Sequence, residues 1–146
     1  MSWNDLRKGR HSTIGQEYLV TLVTHRRQPF FSDFGNARIL VGEMRRLQEE
    51  GRVCWLCWVI MPDHFHALAR LDGGKLWAAV RQLKGASARR INQGHDRRGS
   101  VWQPGYHDHA LRREEDRLQV ARYIVANPLR AGLVKRLGDY PHWDSV

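Results

Sequence analysis

The chain has 146 residues, of which 42% are apolar and 10% aromatic. This length and composition suit a single compact domain with a buried core, and they exclude a disordered tail. No apolar run approaches the ~20 residues that a membrane-spanning helix needs, and the start of the chain is polar and basic rather than a signal segment. We therefore expect a cytoplasmic protein with no membrane partner.

The net charge is strongly positive: the chain has 24 Lys and Arg residues and 15 Asp and Glu residues, which gives +9. Arginine predominates among these cations, and its planar guanidinium grips phosphate with two hydrogen bonds. The balance favours a nucleic-acid partner and a nucleoid-associated location. Any one basic pair is also consistent with a solvated surface. The candidate DNA contacts are Arg26, Arg27, Lys84, Arg89, Arg90, Arg97 and Arg98.

Hydrophobic periodicity and turn residues predict alternating strands and helices along the chain. In chain order we predict a strand over 18–24, a helix from the Ser32-Asp33 cap to Gly51, strands over 53–61 and 64–71, a helix from 76 to near Gly94, a strand region over 101–112, and a helix from about Glu114 through Asn127-Pro128.

This β-α-β-β-α-β order is the plan of a ferredoxin-like α+β sandwich, an antiparallel sheet with two helices on one face. The added C-terminal helix is expected on the other face. We expect residues 1–17 to form a basic N-terminal arm, 18–134 the domain and 135–146 a C-terminal tail. The fold hosts many functions, so it does not by itself identify one.

The only two cysteines, Cys54 and Cys57, have the spacing of a redox motif or of half a zinc site. They lie in an apolar run, residues 53–61, that is typical of a buried strand. Positions three apart on a regular strand point to opposite faces. We therefore expect two unpaired core thiols that neither bridge nor share a metal ion.

His64 and His66 flank Phe65 at the start of the predicted third strand. On a strand the two imidazoles point the same way while Phe65 turns into the core, so both rings can reach one metal ion. The alternative is a pair of satisfied surface histidines. The tight turn at Pro62-Asp63, which restricts their approach, favours the metal site.

Tyr123 and Asn127 are four residues apart on the predicted last helix, so their side chains share a face. Asn127 can offer an amide oxygen as a third ligand beside the two imidazoles. A free tyrosine hydroxyl has a pKa near ~10 and is scarcely ionised at neutral pH, so it needs help to attack phosphorus. A metal ion that holds the scissile phosphate supplies that help.

Four segments together carry a family resemblance: YLVT at 18–21, MPDHFH at 61–66, VWQPGYHDH at 101–109 and YIVANPLRAGL at 123–133. The chain resembles the HUH-type single-tyrosine transposases of bacterial insertion sequences, most closely the REP-associated tyrosine transposases. The resemblance extends over about residues 18–134.

The resemblance implies that His64, His66 and Asn127 hold Mg²⁺ or Mn²⁺ and that Tyr123 is the nucleophile. It implies nicking and strand transfer of single-stranded DNA beside short hairpins, the repetitive extragenic palindromes (REP), through a 5′-phosphotyrosine intermediate. Relatives of this kind act as monomers or as homodimers.

Two alternatives remain open at this point. One is a non-catalytic nucleic-acid-binding module on the same fold. The other is a metallohydrolase that uses His64, His66 and either His107 or His109 around an activated water. Tyr106 is a rival nucleophile, but it lacks a helical amide partner, so Tyr123 is favoured.

Overall fold

The computed structural model describes residues 12–112, 114–130 and 143–145. Most of the predicted arm (residues 1–11) and most of the predicted tail (135–142 and 146) lie outside the described residues. The strands are β1 (Glu17–Val23), β2 (Val53–Met61), β3 (His64–Leu71), β4 (His107–Ala110) and β5 (Trp143–Ser145), and the α-helices are α1 (Phe34–Glu49), α2 (Leu76–Gly94), α3 (Glu114–Val125) and α4 (Asn127–Arg130).

The five strands form one antiparallel sheet in the order β4-β1-β3-β2-β5. Strands β1 to β4 with α1 and α2 have the predicted ferredoxin-like α+β arrangement, which is confirmed. Strand β5 was not predicted. Residues 143–145 fall in the expected tail, but they pair with β2 and lengthen the sheet.

One face of the sheet is covered by α1 and α2. Alternate side chains of β1 (Tyr18, Val20 and Leu22) point into this layer and are buried with Phe65 of β3. The alternation of side chains along the strand therefore sets which of them enter the main core.

The opposite face carries a second, smaller core under α3. There Ile124, which is fully buried, packs with Cys57, Val59 and Leu68 of the sheet. Helix α3 contacts β2, β3 and β5. This packing places α3 on the face that the first two helices leave open, as predicted.

Local signals account for several element ends. The Asp33 side chain accepts a hydrogen bond from the Asn36 backbone N–H at 3.1 Å, which caps α1. After α1 the chain turns at Gly51, whose φ of +72° suits glycine. Strand β4 is shorter than predicted, and Trp102 forms only an isolated bridge with Thr24.

The last helix, predicted through Asn127-Pro128 with an end or kink near Asn127, is interrupted at that point. α3 ends at Val125, and α4 begins at Asn127 after a turn at Ala126. Pro128 has no backbone N–H to give to the carbonyl of Ile124, and its ring clashes with the preceding turn. Proline is tolerated in a first helical turn, so α4 starts anew with Pro128 in it.

The expected orientation of Cys54 and Cys57 is wrong. The register between β2 and β3 shifts between Trp55 and Cys57, so that Cys54 lies opposite Arg70 and Cys57 opposite Leu68. Since Arg70 and Leu68 are two apart on β3, both cysteines point to the same face, toward α3. One extra residue in the strand cancels the alternation on which the prediction depended. Cys54 and Cys57 form no disulfide, and the Cys57 thiol lies 3.8 Å from the backbone carbonyl oxygen of Ala121.

Candidate active site

The two histidines open β3, directly after the turn that joins it to β2. Phe65 between them is fully buried in the main core, so His64 and His66 both lie on the α3 side of the sheet. Their ring centroids are 4.7 Å apart and the ring planes are inclined by 74°. Two imidazoles in this arrangement can present nitrogen atoms to a single ion.

In each imidazole the Nδ1 atom is hydrogen-bonded to a neighbouring side chain. His64 Nδ1 lies 2.7 Å from Asp63 Oδ1, and His66 Nδ1 lies 2.8 Å from Thr21 Oγ1. When each Nδ1 carries the proton, both oxygen atoms accept and the Nε2 lone pairs remain for a metal ion. Partners of this kind orient the rings of metal-binding histidines and raise their basicity.

Asp63 joins His64 to a guanidinium group. Arg27 Nε donates to Asp63 Oδ2 at 3.0 Å. Partial burial by itself raises the pKa of Asp63, but the hydrogen bond and charge of His64, together with Arg27, outweigh it and lower the pKa. The buried Thr24 hydroxyl donates to the backbone carbonyl of Asp63 at 2.9 Å and so fixes this turn.

Tyr123 lies on α3, with 49% of its surface exposed. Its ring centroid is 5.9 Å from that of His66, with the planes inclined by 70°. The next residue, Ile124, is fully buried in the smaller core, and this anchors the helix while Tyr123 faces outward. The phenol and the histidine pair therefore share one face of the sheet.

Asn127 begins α4, which contacts β2, and its side chain is buried. Its Nδ2 atom has no hydrogen-bond partner among the described residues. A buried N–H donor without a partner is costly. Since the amide nitrogen and oxygen are interchangeable by rotation, the same position suits an oxygen that binds a cation. Two imidazole nitrogens and one amide oxygen form a donor set that fits Mn²⁺ or Mg²⁺.

The second histidine pair lies on a different strand. His107 is opposite Thr21, and Thr21 is opposite His66, so the three share one row across the sheet. Within the described part of the chain, no three His, Cys, Asp or Glu side chains are grouped to hold a metal ion.

The rival nucleophile is enclosed elsewhere. Tyr106 is only 5% exposed and belongs to the core beneath α1 and α2. That core lies on the opposite side of the sheet from the imidazoles. Of Tyr106 and Tyr123, it is Tyr123 that the fold brings to the histidine pair.

Four of the seven predicted DNA contacts make bonds within the protein. Besides Arg27, Lys84 Nζ donates to the carbonyl oxygens of two residues in the loop before β4, at 2.7 and 2.6 Å. Arg90 donates to the buried Glu43 carboxylate at 3.0 Å. Arg97 stacks on the Phe30 ring at 4.6 Å. These contacts give the four side chains a structural role within the protein, whether or not they also bind DNA.

The other three, Arg26, Arg89 and Arg98, are exposed. Arg26 lies just after β1, whose last residue, Val23, is opposite His64. Arg89 lies on α2, across the sheet from the imidazoles, and Arg98 follows that helix. The structure therefore brings Arg26 and Arg27 to the turn that precedes His64, and it places Arg89 and Arg90 on the helix that covers the other face of the sheet.

Sequence reasoning missed Thr21 and Asp63 as partners of the histidines. Asp63 precedes His64, and its adjacency was a usable signal. Thr21 is 45 residues from His66. Only the β1–β3 register brings Thr21 to it.

None of the helices in the described ranges combines the length and apolarity needed to cross a bilayer.

Comparison with known proteins gives one family and several structures. The profile of the family described as "Transposase IS200 like" matches residues 12–127. A REP-associated tyrosine transposase from Escherichia coli (strain K12) is 29% identical over 89 residues, 58% of this chain and 49% of that protein. The chain spans about half the length of the curated relatives it matches.

Among solved structures, that of a REP-associated tyrosine transposase bound to a REP hairpin aligns with a TM-score of 0.76 at 23% identity. The alignment covers 92% of this chain and 79% of that chain. A protein from Deinococcus radiodurans, provisionally assigned as a transposase, aligns with a TM-score of 0.53 at 27% identity, covering 80% of this chain and 93% of that chain. Both likenesses support the fold.

Proposed function

Because the chain belongs to the IS200-like transposase family, we propose that it nicks single-stranded DNA beside short hairpins and transfers the cut strand. Tyr123 is the nucleophile in this proposal, and His64, His66 and Asn127 hold one divalent cation. The observation that carries the proposal is the contact between the Tyr123 and His66 rings. Their centroids are 5.9 Å apart, on the face of the sheet that also bears His64.

The covalent step exchanges one phosphorus–oxygen bond for another. The Tyr123 oxygen loses its proton and attacks the scissile phosphorus. The bond from phosphorus to the 3′ oxygen breaks, and that oxygen takes up a proton to leave as a 3′-hydroxyl. The 5′-phosphotyrosine conserves the bond energy, so a 3′-hydroxyl of another strand can attack it and release Tyr123 without a nucleotide cofactor.

A bound Mg²⁺ or Mn²⁺ would neutralise charge on the scissile phosphate and orient it. The protein's own part is to hold the ligands still. Asp63 and Thr21 orient the two imidazoles, and Ile124 holds the helix that carries Tyr123. A pre-arranged nucleophile and phosphate site lower the entropic cost of the attack.

Hairpin DNA is the proposed partner. The solved relative with the REP hairpin supports this choice, as does the net charge of +9. Tyr123 contacts a histidine of its own chain, so the proposal places both on one subunit, whether the protein is a monomer or a homodimer.

The test is to incubate labelled hairpin DNA carrying single-stranded flanks with the protein and Mn²⁺, and to separate the products under denaturing conditions. We expect a DNA–protein adduct that persists in denaturant and is absent with Tyr123→Phe. A library of flanking sequences covers the unknown cleavage site.

Two outcomes would redirect the assignment. Tight binding without an adduct on any flank would favour the non-catalytic binding module. Cleavage that proceeds without an adduct and is equally fast in Tyr123→Phe would favour an activated water as the nucleophile.

A further inference from the structure

Trp77 is a half-exposed aromatic side chain in the first turn of α2, with 49% of its surface open to solvent. With Tyr106 it lines two neighbouring cavities. One, of about 330 Å³, also meets Arg112 and His109 by β4, and the other, of about 320 Å³, also meets Arg81 of α2. We call these two cavities, joined at Trp77 and Tyr106, the Trp77 cleft.

The exposure of Trp77 contrasts with that of other tryptophans in the chain. Trp55 and Trp102 are buried, and their indole N–H groups donate to Met44 O at 2.8 Å and Ser87 Oγ at 3.0 Å. Those two indoles serve the core. An indole that is half in water keeps a large flat surface available for a planar ligand, and covering that surface is favourable.

The charge around Trp77 suits an anion. Arg81 and Arg112 line the cleft and are exposed, and Lys75 precedes α2 on the surface. Asp108 is an acidic residue of the lining, but the cations outnumber it. An aromatic face beside guanidinium groups is the combination that binds unpaired nucleotides, since the base stacks and the phosphate pairs with arginine.

The Trp77 cleft lies close to the histidine pair along the sheet. Tyr18 at the cleft is opposite Ala110, and Thr21, which contacts His66, is opposite His107 on the same strand pair. Three residues of strand span about 10 Å. Tyr18 and Thr21 point to opposite faces, so a DNA strand passing over the β4 edge of the sheet would join the cleft to the site.

We propose that the Trp77 cleft binds an unpaired nucleotide of the single-stranded DNA that flanks the hairpin, with its base stacked on Trp77 and its phosphate on Arg81 or Arg112. The proposal rests on the proposed function for its substrate and adds a second point of attachment away from Tyr123. It predicts that the flanking strand is held on both sides of the β4 edge.

The test is fluorescence anisotropy with two labelled probes: a blunt hairpin, and the same hairpin with a thymidine extension of about 12 nucleotides, within the range that such sites cover. We expect Trp77→Ala to weaken binding of the extended probe about tenfold, the effect of losing one stacked base. Trp77→Phe should recover most of the loss. Affinity for the blunt hairpin should be unchanged in both variants.

Phe34→Ala is the matched control, because Phe34 is an aromatic residue of similar exposure on α1, outside the cleft. It should bind both probes as the wild type does. Equal affinity of wild type and Trp77→Ala for the extended probe would overturn the proposal, as would equal losses on both probes.

The adduct assay separates this proposal from the proposed function. A wild-type adduct together with unchanged binding by Trp77→Ala rejects the Trp77 cleft and leaves Tyr123 as the nucleophile. The expected binding loss in a protein that forms no adduct supports the cleft and rejects the nicking activity.

Discussion

Thr21 Oγ1 lies 2.8 Å from His66 Nδ1, and the two residues are directly opposite each other on β1 and β3. The hydroxyl therefore reaches the ring nitrogen that faces away from a metal ion bound at Nε2. Asp63 holds the equivalent nitrogen of His64 at 2.7 Å. The ring positions of the proposed metal site thus depend on two residues that do not themselves bind the ion.

Thr21→Val keeps the shape of the side chain and removes the hydroxyl. We expect Mn²⁺ affinity to fall about tenfold or more, because partners of metal-binding histidines contribute at this scale. Titration calorimetry of the DNA-free protein measures it. Thr21→Ser keeps the hydroxyl and should bind Mn²⁺ nearly as the wild type does. Equal affinity of the Val and Ser variants would contradict the role of Thr21.

Asp63→Ala should also weaken Mn²⁺ binding, since it frees the His64 ring. Arg27→Ala should have a smaller effect, because the Arg27 side chain is 60% exposed and its ion pair is screened by water. The same titration ranks the two variants. A larger loss in Arg27→Ala than in Asp63→Ala would contradict this order.

Asn127→Leu separates folding from metal binding at one position. In the presence of a chelator we expect the variant to be as stable as the wild type or slightly more so, because a buried Nδ2 atom without a hydrogen-bond partner is replaced by an apolar group. Mn²⁺ should raise the Tm of the wild type by binding the folded state, and should raise that of the variant much less. Thermal unfolding with and without Mn²⁺ measures both, and equal shifts would remove Asn127 from the ligand set.

Ile124→Ala should destabilise the protein by about 3 kcal/mol, the usual cost of truncating a fully buried aliphatic side chain. It should also lower adduct formation, because the Ile124 contacts hold the helix that carries Tyr123. Leu118→Ala, on the same helix but 56% exposed, is the control and should change stability by less than about 0.5 kcal/mol. Denaturant titration measures the free energy of unfolding of both.

Salt should weaken DNA binding steeply if arginine–phosphate contacts carry the affinity. For a single-stranded probe we expect log K to fall with log salt by about 0.7 per contacted phosphate. Arg26→Ala should reduce this slope by about one contact, whereas Arg90→Ala should not, because Arg90 already pairs with the buried Glu43 carboxylate. Identical slopes for the two variants would contradict a contact between Arg26 and a DNA phosphate.

The sequence by itself determined the local features. Alternation along residues 64–66 placed both imidazoles on one face, and the apolar periods located α1, α2 and the strands of the ferredoxin-like sheet. These patterns are readable because side-chain direction within one element depends only on its own repeat, two on a strand and 3.6 on a helix.

Tertiary structure decided what depends on partners far apart in the chain. The β1–β3 register set Thr21 against His66, and the irregularity in β2 turned Cys54 and Cys57 to one face. Tertiary structure also places Lys84 and Arg90 in hydrogen bonds within the protein. Register and pairing arise from contacts between elements, and a register shift of one residue moves every side chain of a strand to the other face of the sheet. The hydrophobic repeat within one element does not determine the register of its pairing with another.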